Sequence, residues 1–327
     1  MKLISYPENY SSVFGDNVCR FEQVNPDEPF EVTIEDDVVG VLGAKRFVGS
    51  AEVGCALGNY LHRRLDPQPL FINRTACTEA TGRNVRLTAH WGSGQKSPKM
   101  TFTLSHDNLS LGDVIGGPRQ SRSIAAGELD EVLFVAGREN GVANILTLST
   151  GECIHVNTKS SLHDGLWAWV VCADDVIGRS ARPDELEWFK MELLLKGESI
   201  AIIHYTLVPP VQGAVRLAWL DASGQIYYHN FPHAVRREVE TSSVVAELAE
   251  GTTTLSKSGW ELTRLDSGVV SKDVVAHLEG VATSPRVWVI ENGVAIPVVV
   301  LSAKTVLSGV GRGVSLTLRP TKMTKYW

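Results

Sequence analysis

Two stretches decide the fold: Trp219-Leu220-Asp221-Ala222-Ser223-Gly224-Gln225-Ile226-Tyr227-Tyr228 and Arg286-Val287-Trp288-Val289-Ile290-Glu291-Asn292-Gly293-Val294-Ala295-Ile296-Pro297-Val298. In each, a polar tip suited to positive φ, Ala-Ser-Gly or Glu-Asn-Gly, separates runs of β-branched, aromatic and aliphatic residues. That is the strongest short-range signal for a tight β-hairpin. Between the hairpins, Val274, Val275, Leu278 and Val281 recur at helical spacing. With Ser271 as N-cap and Asp273 in the first turn, they predict a helix from about Lys272 to Ala282. The final segment therefore reads as hairpin, strand, helix and a three-strand meander.

The same grammar runs upstream. Phe30–Ile34 alternates apolar with polar, Asp36-Asp37 offers a turn, and Val38–Leu42 returns. From Ser50, the spacing of Val53, Ala56, Leu57, Tyr60, Leu61 and Leu65 predicts a short helix. Asn84–Trp91 and Met100–Leu104 read as half-buried strands. Gly116-Gly117-Pro118-Arg119-Gln120-Ser121-Arg122-Ser123 reads as a linker or long exposed loop, because Gly-Gly-Pro breaks both regular structures. Four strand-like segments follow it, from Glu131 to Cys172. Asp184–Lys196 fits either a helix or a bulged strand and is taken as strand. Ile200–Leu207 is a strand ended by Pro209-Pro210. The expectation is a mainly β, multi-domain architecture of sandwich or barrel type with two short helices. Its domains are 1–115, 116–207 and 208–327.

Composition narrows the function classes. The 327 residues are 43% hydrophobic, enough to fill a core in each domain. With 31 basic against 37 acidic residues and a net charge of −6, no global positive field draws phosphate backbones, so nucleic acid is not expected as a partner. No apolar run of 18 residues occurs, so no membrane span is expected, and Met1–Asn9 lacks a secretory apolar core. Cys19, Cys55, Cys77, Cys153 and Cys172 contain no Cys-x-x-Cys pair and read as buried free thiols.

Candidate chemistry is sparse. His106-Asp107 and His163-Asp164 invite a metal reading, but a metal hydrolase sets such a pair on a helix with partner ligands nearby, whereas both fall at strand ends. Gly309-Val310-Gly311-Arg312-Gly313 precedes a strand pattern rather than a helix, which favours a hairpin loop over a phosphate cradle. No nucleophile-elbow, zincin or Walker sequence appears, and Asp36-Asp37 and Asp174-Asp175 lie in turn-like text. No catalytic residue, metal or cofactor is expected. The eight tryptophans suit either packing or a sugar-stacking platform.

The text Arg216–Tyr228 and the ending of short helix, Ser284-Pro285-Arg286-Val287-Trp288-Val289, Asn-Gly turn and Ile296–Val300 resemble tail and baseplate-type structural proteins of phages and prophages from Bacteroidetes hosts. The opening Asn9-Tyr10-Ser11-Ser12-Val13-Phe14-Gly15-Asp16-Asn17 is similar as well. Residues 116–207 share only general β character. The sequence departs from the pattern at Asp221 and in the His- and Arg-rich stretch His229–Arg237. The resemblance implies a non-enzymatic subunit of a baseplate or distal tail, made in the host cytoplasm and ending in the virion tail. Its expected partners are other tail proteins and copies of itself. Arg119, Arg122, Arg236 and Arg237 are the candidate interface residues. The competing class is a carbohydrate- or cell-surface-binding sandwich module.

Overall fold

A computed structural model describes residues 1–23, 25–137, 141–156, 162–248, 250–308 and 311–321. The chain is mainly β and divides into two compact units: Met1–Val208 with Ala222–Gln225, and Pro209–Asp221 with Ile226–Trp327.

In the first unit the strands run β1 (Lys2–Ser5), β2 (Ser11–Ser12), β3 (Val18–Glu22), β4 (Phe30–Asp36), β5 (Gly40–Phe47) and β6 (Glu52–Ala56), then helix α1 (Gly58–His62). They continue with β7 (Ala76–Glu79), β8 (Asn84–Trp91), β9 (Gln95–Lys96), β10 (Met100–Thr103), β11 (Arg119–Ala125), β12 (Leu129–Ala136), β13 (Val142–Leu148), β14 (Cys153–Val156) and β15 (Gly165–Cys172). Helix α2 (Ala173–Arg179), a 3₁₀ turn (Pro183–Glu185), β16 (Trp188–Leu195) and β17 (Glu198–Val208) complete it. Four sheets result, ordered β1-β3-β6, β2-β10-β8-β4-β5, β11-β17-β16-β13-β14 and β12-β15-β7.

The last sheet is the centre of this unit. Side chains alternate across a strand, and here both faces are buried. Val132, Phe134, Trp167, Trp169 and Val171 enter a core shared with Phe189, Met191, Leu193, Ile203 and Tyr205 of the β11–β14 sheet. Leu133, Val135, Leu166, Ala168 and Val170 enter a second core with Ala80 and Ile115. That is why β12 and β15 read as unbroken apolar runs instead of alternating. Residues 1–115 and 116–207, read from sequence as separate domains, share this sheet through the β7–β15 pairing.

Three local expectations change. Val53 and Cys55 are buried alternately in β6, paired with β3, and only Gly58–His62 is helical. Strand pairing there overrides a helical spacing that five residues of α1 satisfy only in part. Arg119–Ala125 is no linker but a strand lying parallel to β17 from Arg119↔Ile202 to Ala125↔Val208. The Gly-Gly-Pro break is confined to Gly116–Pro118, where both glycines take positive φ. Helix α2 is the third helix; Asp174 and Asp175 occupy its first turn, where carboxylates complement the helix dipole. The strand reading of Asp184–Lys196 holds over Trp188–Leu195, with Phe189, Met191, Leu193 and Leu195 facing inward. The extra residue of the bulge is Ile200, on the β17 side.

The second unit is one seven-stranded sheet and one helix. Its strands are β18 (Val215–Leu220), β19 (Ile226–Phe231), β20 (His233–Leu248), β21 (Gly251–Asp266), β22 (Val287–Glu291), β23 (Val294–Ser308) and β24 (Gly311–Pro320), ordered β19-β18-β22-β23-β24-β21-β20. The Asn292-Gly293 tip has positive φ at both residues, the geometry of a two-residue hairpin turn between Glu291 and Val294. Helix α3 (Lys272–Thr283) begins where the sequence predicts, with the Ser271 hydroxyl accepting from the Val274 amide at 3.4 Å. Val275, Leu278 and Val281 are buried among Leu217, Trp219, Phe231, Leu265, Val287, Leu316 and Leu318. Trp288 is also buried, but alternates with Val287 and so lies on the other face of its strand. The expected place of Trp260 is met in β21, while its side chain lies outside the described residues.

Leu278 has no exposed surface. Leu278→Ala should cost about 2–5 kcal/mol, read as a shift in the denaturant midpoint of this unit. A neutral result would mean that the helix does not close this core.

Candidate functional site

Of the four candidate arginines, Arg122 is placed differently from expectation. Arg119 is exposed at the start of β11. Arg122 is committed inside the fold. Its guanidinium donates to Asp130 Oδ2 and to the Glu131 carbonyl, both at 2.7 Å, and to Gln120 Oε1 at 2.6 Å. Tyr205 donates to the same Asp130 oxygen at 2.8 Å. Burial first, and Asp130 second, push the Tyr205 phenol well above its ordinary pKa, so it stays a neutral donor. Arg236 and Arg237 belong to β20, where they pair with Arg264 and Thr263 in register. Their side chains lie outside the described residues.

Two further polar groups in the first unit escaped sequence reading. Arg83, fully buried, is held bidentate by Glu131, Nη1–Oε1 2.6 Å and Nη2–Oε2 3.2 Å, and also donates to the Gln68 carbonyl at 3.0 Å. Gln225 accepts from the Leu133 amide at 3.1 Å and donates to the Glu131 carbonyl at 2.7 Å. It thus behaves like a fragment of a neighbouring strand along β12. Beside it Gly224 takes φ +84°, and a side chain there would collide with the Leu104 carbonyl oxygen. No local pattern in sequence announces either arrangement, because each partner is distant in the chain.

The two His-Asp dipeptides lead to different surroundings. His163 faces Glu79 (Nε2–Oε2 3.2 Å) and Arg86 (Nδ1–Nη1 3.0 Å), and its ring leans on Trp167, while Asp164 accepts from Tyr10 at 3.2 Å. Burial and then Asp164 raise the Tyr10 pKa to about 12. The group is a chain of hydrogen-bonded charges in which Arg86 also reaches Glu79 at 2.9 Å. His106 instead stacks on Phe14 at 4.7 Å. Among the described residues no group of three His, Cys, Asp or Glu side chains is arranged to hold a metal ion.

The other carboxylate pairs have structural tasks as well. Asp36 accepts from the Val38 and Val39 amides, closing its turn, and Asp37 meets Lys99 at 2.6 Å. Asp174 accepts from the Gly127 amide and Asp175 from the Thr75 amide. Of the five cysteines expected to be buried, Cys19, Cys55 and Cys172 are, Cys77 is half-buried and Cys153, at the start of the edge strand β14, is exposed; Cys19 and Cys55 lie opposite one another on β3 and β6. Burial pushes the Cys19 thiol up to about 12, with Cys55 adding to it, which keeps it protonated and a poor nucleophile at neutral pH. The stretch around Gly309 and Val310 lies outside the described residues, and its flanks, Ser308 and Gly311, are paired as a hairpin.

Aromatic side chains give the sugar-platform reading little surface. Trp91, Trp167, Trp169, Trp219 and Trp288 are buried, and Trp188 is half-buried against His204. Among the described residues, Phe14 with His62 and His106 forms an exposed ring cluster.

The longest strand pair among the described residues is β20–β21. These strands pair over their whole length, from His233↔Asp266 to Leu248↔Gly251. Yet among the described residues β21 meets β24 only at Thr263–Asp266. Glu238–Leu248 and Gly251–Leu262 therefore form a two-stranded ribbon, about 36 Å long at the rise of a strand. Val244 and Val245 on it are 57% and 54% exposed. As the last strand of the sheet, β20 pairs with β21 and has an open opposite edge among the described residues.

No family model and no curated protein matches the chain. One solved structure, described as "Biofilm associated protein - BSP domain", aligns with 63% of this chain at 9% identity and a TM-score of 0.18. The chain covers 30% of that protein's length, and a likeness of this size carries neither fold nor function. No helix among the described residues is long and apolar enough to cross a membrane.

His229 in β19 supplies a measurable titration. Its Nε2 is sealed from solvent without a partner, and its ring stands edge-on to Phe231 at 5.1 Å. Burial, then Arg216 and His277, hold its pKa down at about 4. A folded value below the unfolded one, about 6.5, stabilises the fold fully above that pH. The contribution is lost as pH falls from about 6.5 to 4, by up to about 3 kcal/mol. Denaturant melts across this window should show the decline, and His229→Gln should flatten it. An equal slope in the variant would refute the assignment.

Proposed function

We propose that this chain is a non-enzymatic structural subunit of a phage or prophage tail, in the baseplate or distal-tail region, working through protein–protein contacts. The observation that carries the reading is the β20–β21 ribbon. An isolated two-stranded ribbon is marginal in water, and a long open edge invites another strand. Such an element makes physical sense in a protein that is completed by its neighbours. The sequence resemblance of Arg216–Tyr228 and of the helix-to-meander ending supports the same reading.

The buried tryptophans favour this reading over a carbohydrate-binding module, which needs exposed aromatic faces. The structural duties of the Asp pairs and of the Arg122–Asp130–Tyr205 network favour it over a hydrolase. On this account the chain has no turnover, waits in the host cytoplasm and ends in the virion tail.

Quantitative mass spectrometry of purified tailed particles from the source of the gene tests this directly. The chain is expected at a fixed copy number relative to the other tail proteins, unchanged by washing in high salt. Its absence from washed particles would overturn the proposal.

A further inference from the structure

Resting on the structural-subunit reading, we infer that β20 is a homotypic docking edge: it pairs antiparallel with β20 of a second copy about a two-fold axis at Ser242. Three properties of the strand converge on this register.

The first is continuity. Pairing with β21 leaves Val235 as an extra residue in β20, between Ala234 and Arg236. The second irregularity, at Val244/Val245, places its extra residue, Leu255, in β21. From Arg236 to Leu248, β20 is thus free of bulges, and its outward N–H and C=O groups alternate without interruption. The midpoint of that stretch is Ser242.

The second is parity. In an antiparallel pair, facing residues either both aim their N–H and C=O groups at each other or both aim them away. Two copies of one edge can therefore meet only in registers centred on a residue, not between residues. A centre at Ser242 meets that condition and joins the entire bulge-free stretch, Arg236 opposite Leu248 of the second copy and the reverse. An isologous contact of this kind closes on itself as a dimer.

The third is charge. With the axis at Ser242, position 237, an arginine, lies opposite position 247, a glutamate, and the pair occurs twice by symmetry. Val239 lies opposite Val245, Glu238 opposite Ala246 and Glu240 opposite Val244, so no like charges face each other. Moving the axis to Glu240 would set that glutamate against itself. Axes at Thr241 or Ser243 put Val235 or Val239, not an arginine, opposite Glu247. Opposite charges directly across a strand pair stabilise it and like charges destabilise it, so the sequence favours one register among its neighbours.

Two measurements on the full chain test this. The first places a cysteine on the axis: Ser242→Cys in a Cys153→Ser background, which removes the exposed native thiol. Directly opposed strand positions lie within disulfide reach. Mild oxidation is expected to give a covalent dimer for Ser242→Cys and none for Ala246→Cys, whose own copy would sit about 27 Å away along the strand. The second is sedimentation over a concentration series. Glu247→Arg is expected to weaken self-association roughly ten-fold, and Arg237→Glu added to it is expected to restore the affinity.

A chain that stays monomeric at every concentration, or a dimer untouched by the charge reversal and uncrosslinked at Ser242, overturns the edge pairing. Neither result removes the chain from tail particles. The subunit reading therefore fails only on the particle measurement, and the two failures remain distinct.

Discussion

Every buried N–H and C=O must find a partner, and this requirement, met strand edge by strand edge, organises the molecule. In the first unit the outer edge of β12 is closed from within. The side of β12 away from β15 receives the Ile115 amide at the Leu133 carbonyl, exchanges bonds between Val135 and the Gly112–Asp113 backbone, and is completed by Gln225. Only with that edge closed can β12 and β15 bury apolar side chains on both faces. The bidentate Arg83–Glu131 pair sits beside it, and its charges tolerate burial because each is met by the other. In the second unit β20 pairs with β21 on one side and has no strand on its other side among the described residues. The contrast between a sealed edge and an open one is the physical basis for assigning contact with a neighbour to the ribbon.

How much of this was legible in the sequence depends on how local the determining interaction is. Hairpins whose tips carry their own conformational signature, Asn292-Gly293 above all, were readable because the turn residues alone dictate them. So was α3, whose cap and apolar face lie within thirteen residues of chain, Ser271–Thr283. The helix expected from Ser50 shows the opposite case. Val53 and Cys55 satisfy a helical period, but β3 offers a partner at each position and the strand wins. Arg119–Ala125 was hidden by its polar alternation beside Gly-Gly-Pro, and its parallel partner, β17, lies some eighty residues away. Where both faces of a strand are buried, as in β12 and β15, the period-two signal vanishes and only length and β-branching remain.

For the candidate site the limit was sharper. Arginine content suggested contacts at Arg119 and Arg122, but charge type does not reveal whether a guanidinium faces outward or closes a network. Arg122 does the latter through Asp130, Gln120 and the Glu131 carbonyl. The His163 group could not be foreseen because Tyr10, Glu79, Arg86 and Asp164 come from separate parts of the chain. The ribbon was underestimated for another reason. The stretch between Asn230 and Trp260 reads in sequence as a longer connection leading to a strand around Trp260–Arg264, whereas it forms β20 and most of β21, because the two strands find their partners in each other.

The central claim is that β20 is an edge completed by association. Amide hydrogen exchange along Arg236–Leu248, followed as protein concentration rises, tests it most directly, because exchange reports the opening of individual backbone bonds. The account predicts that the outward-facing amides of this stretch, those of alternate residues, exchange quickly in dilute solution and become protected as the chain associates, while the amides of β12 stay protected throughout. Fast exchange of those outward-facing amides at every concentration, including those at which the chain is oligomeric, would contradict it.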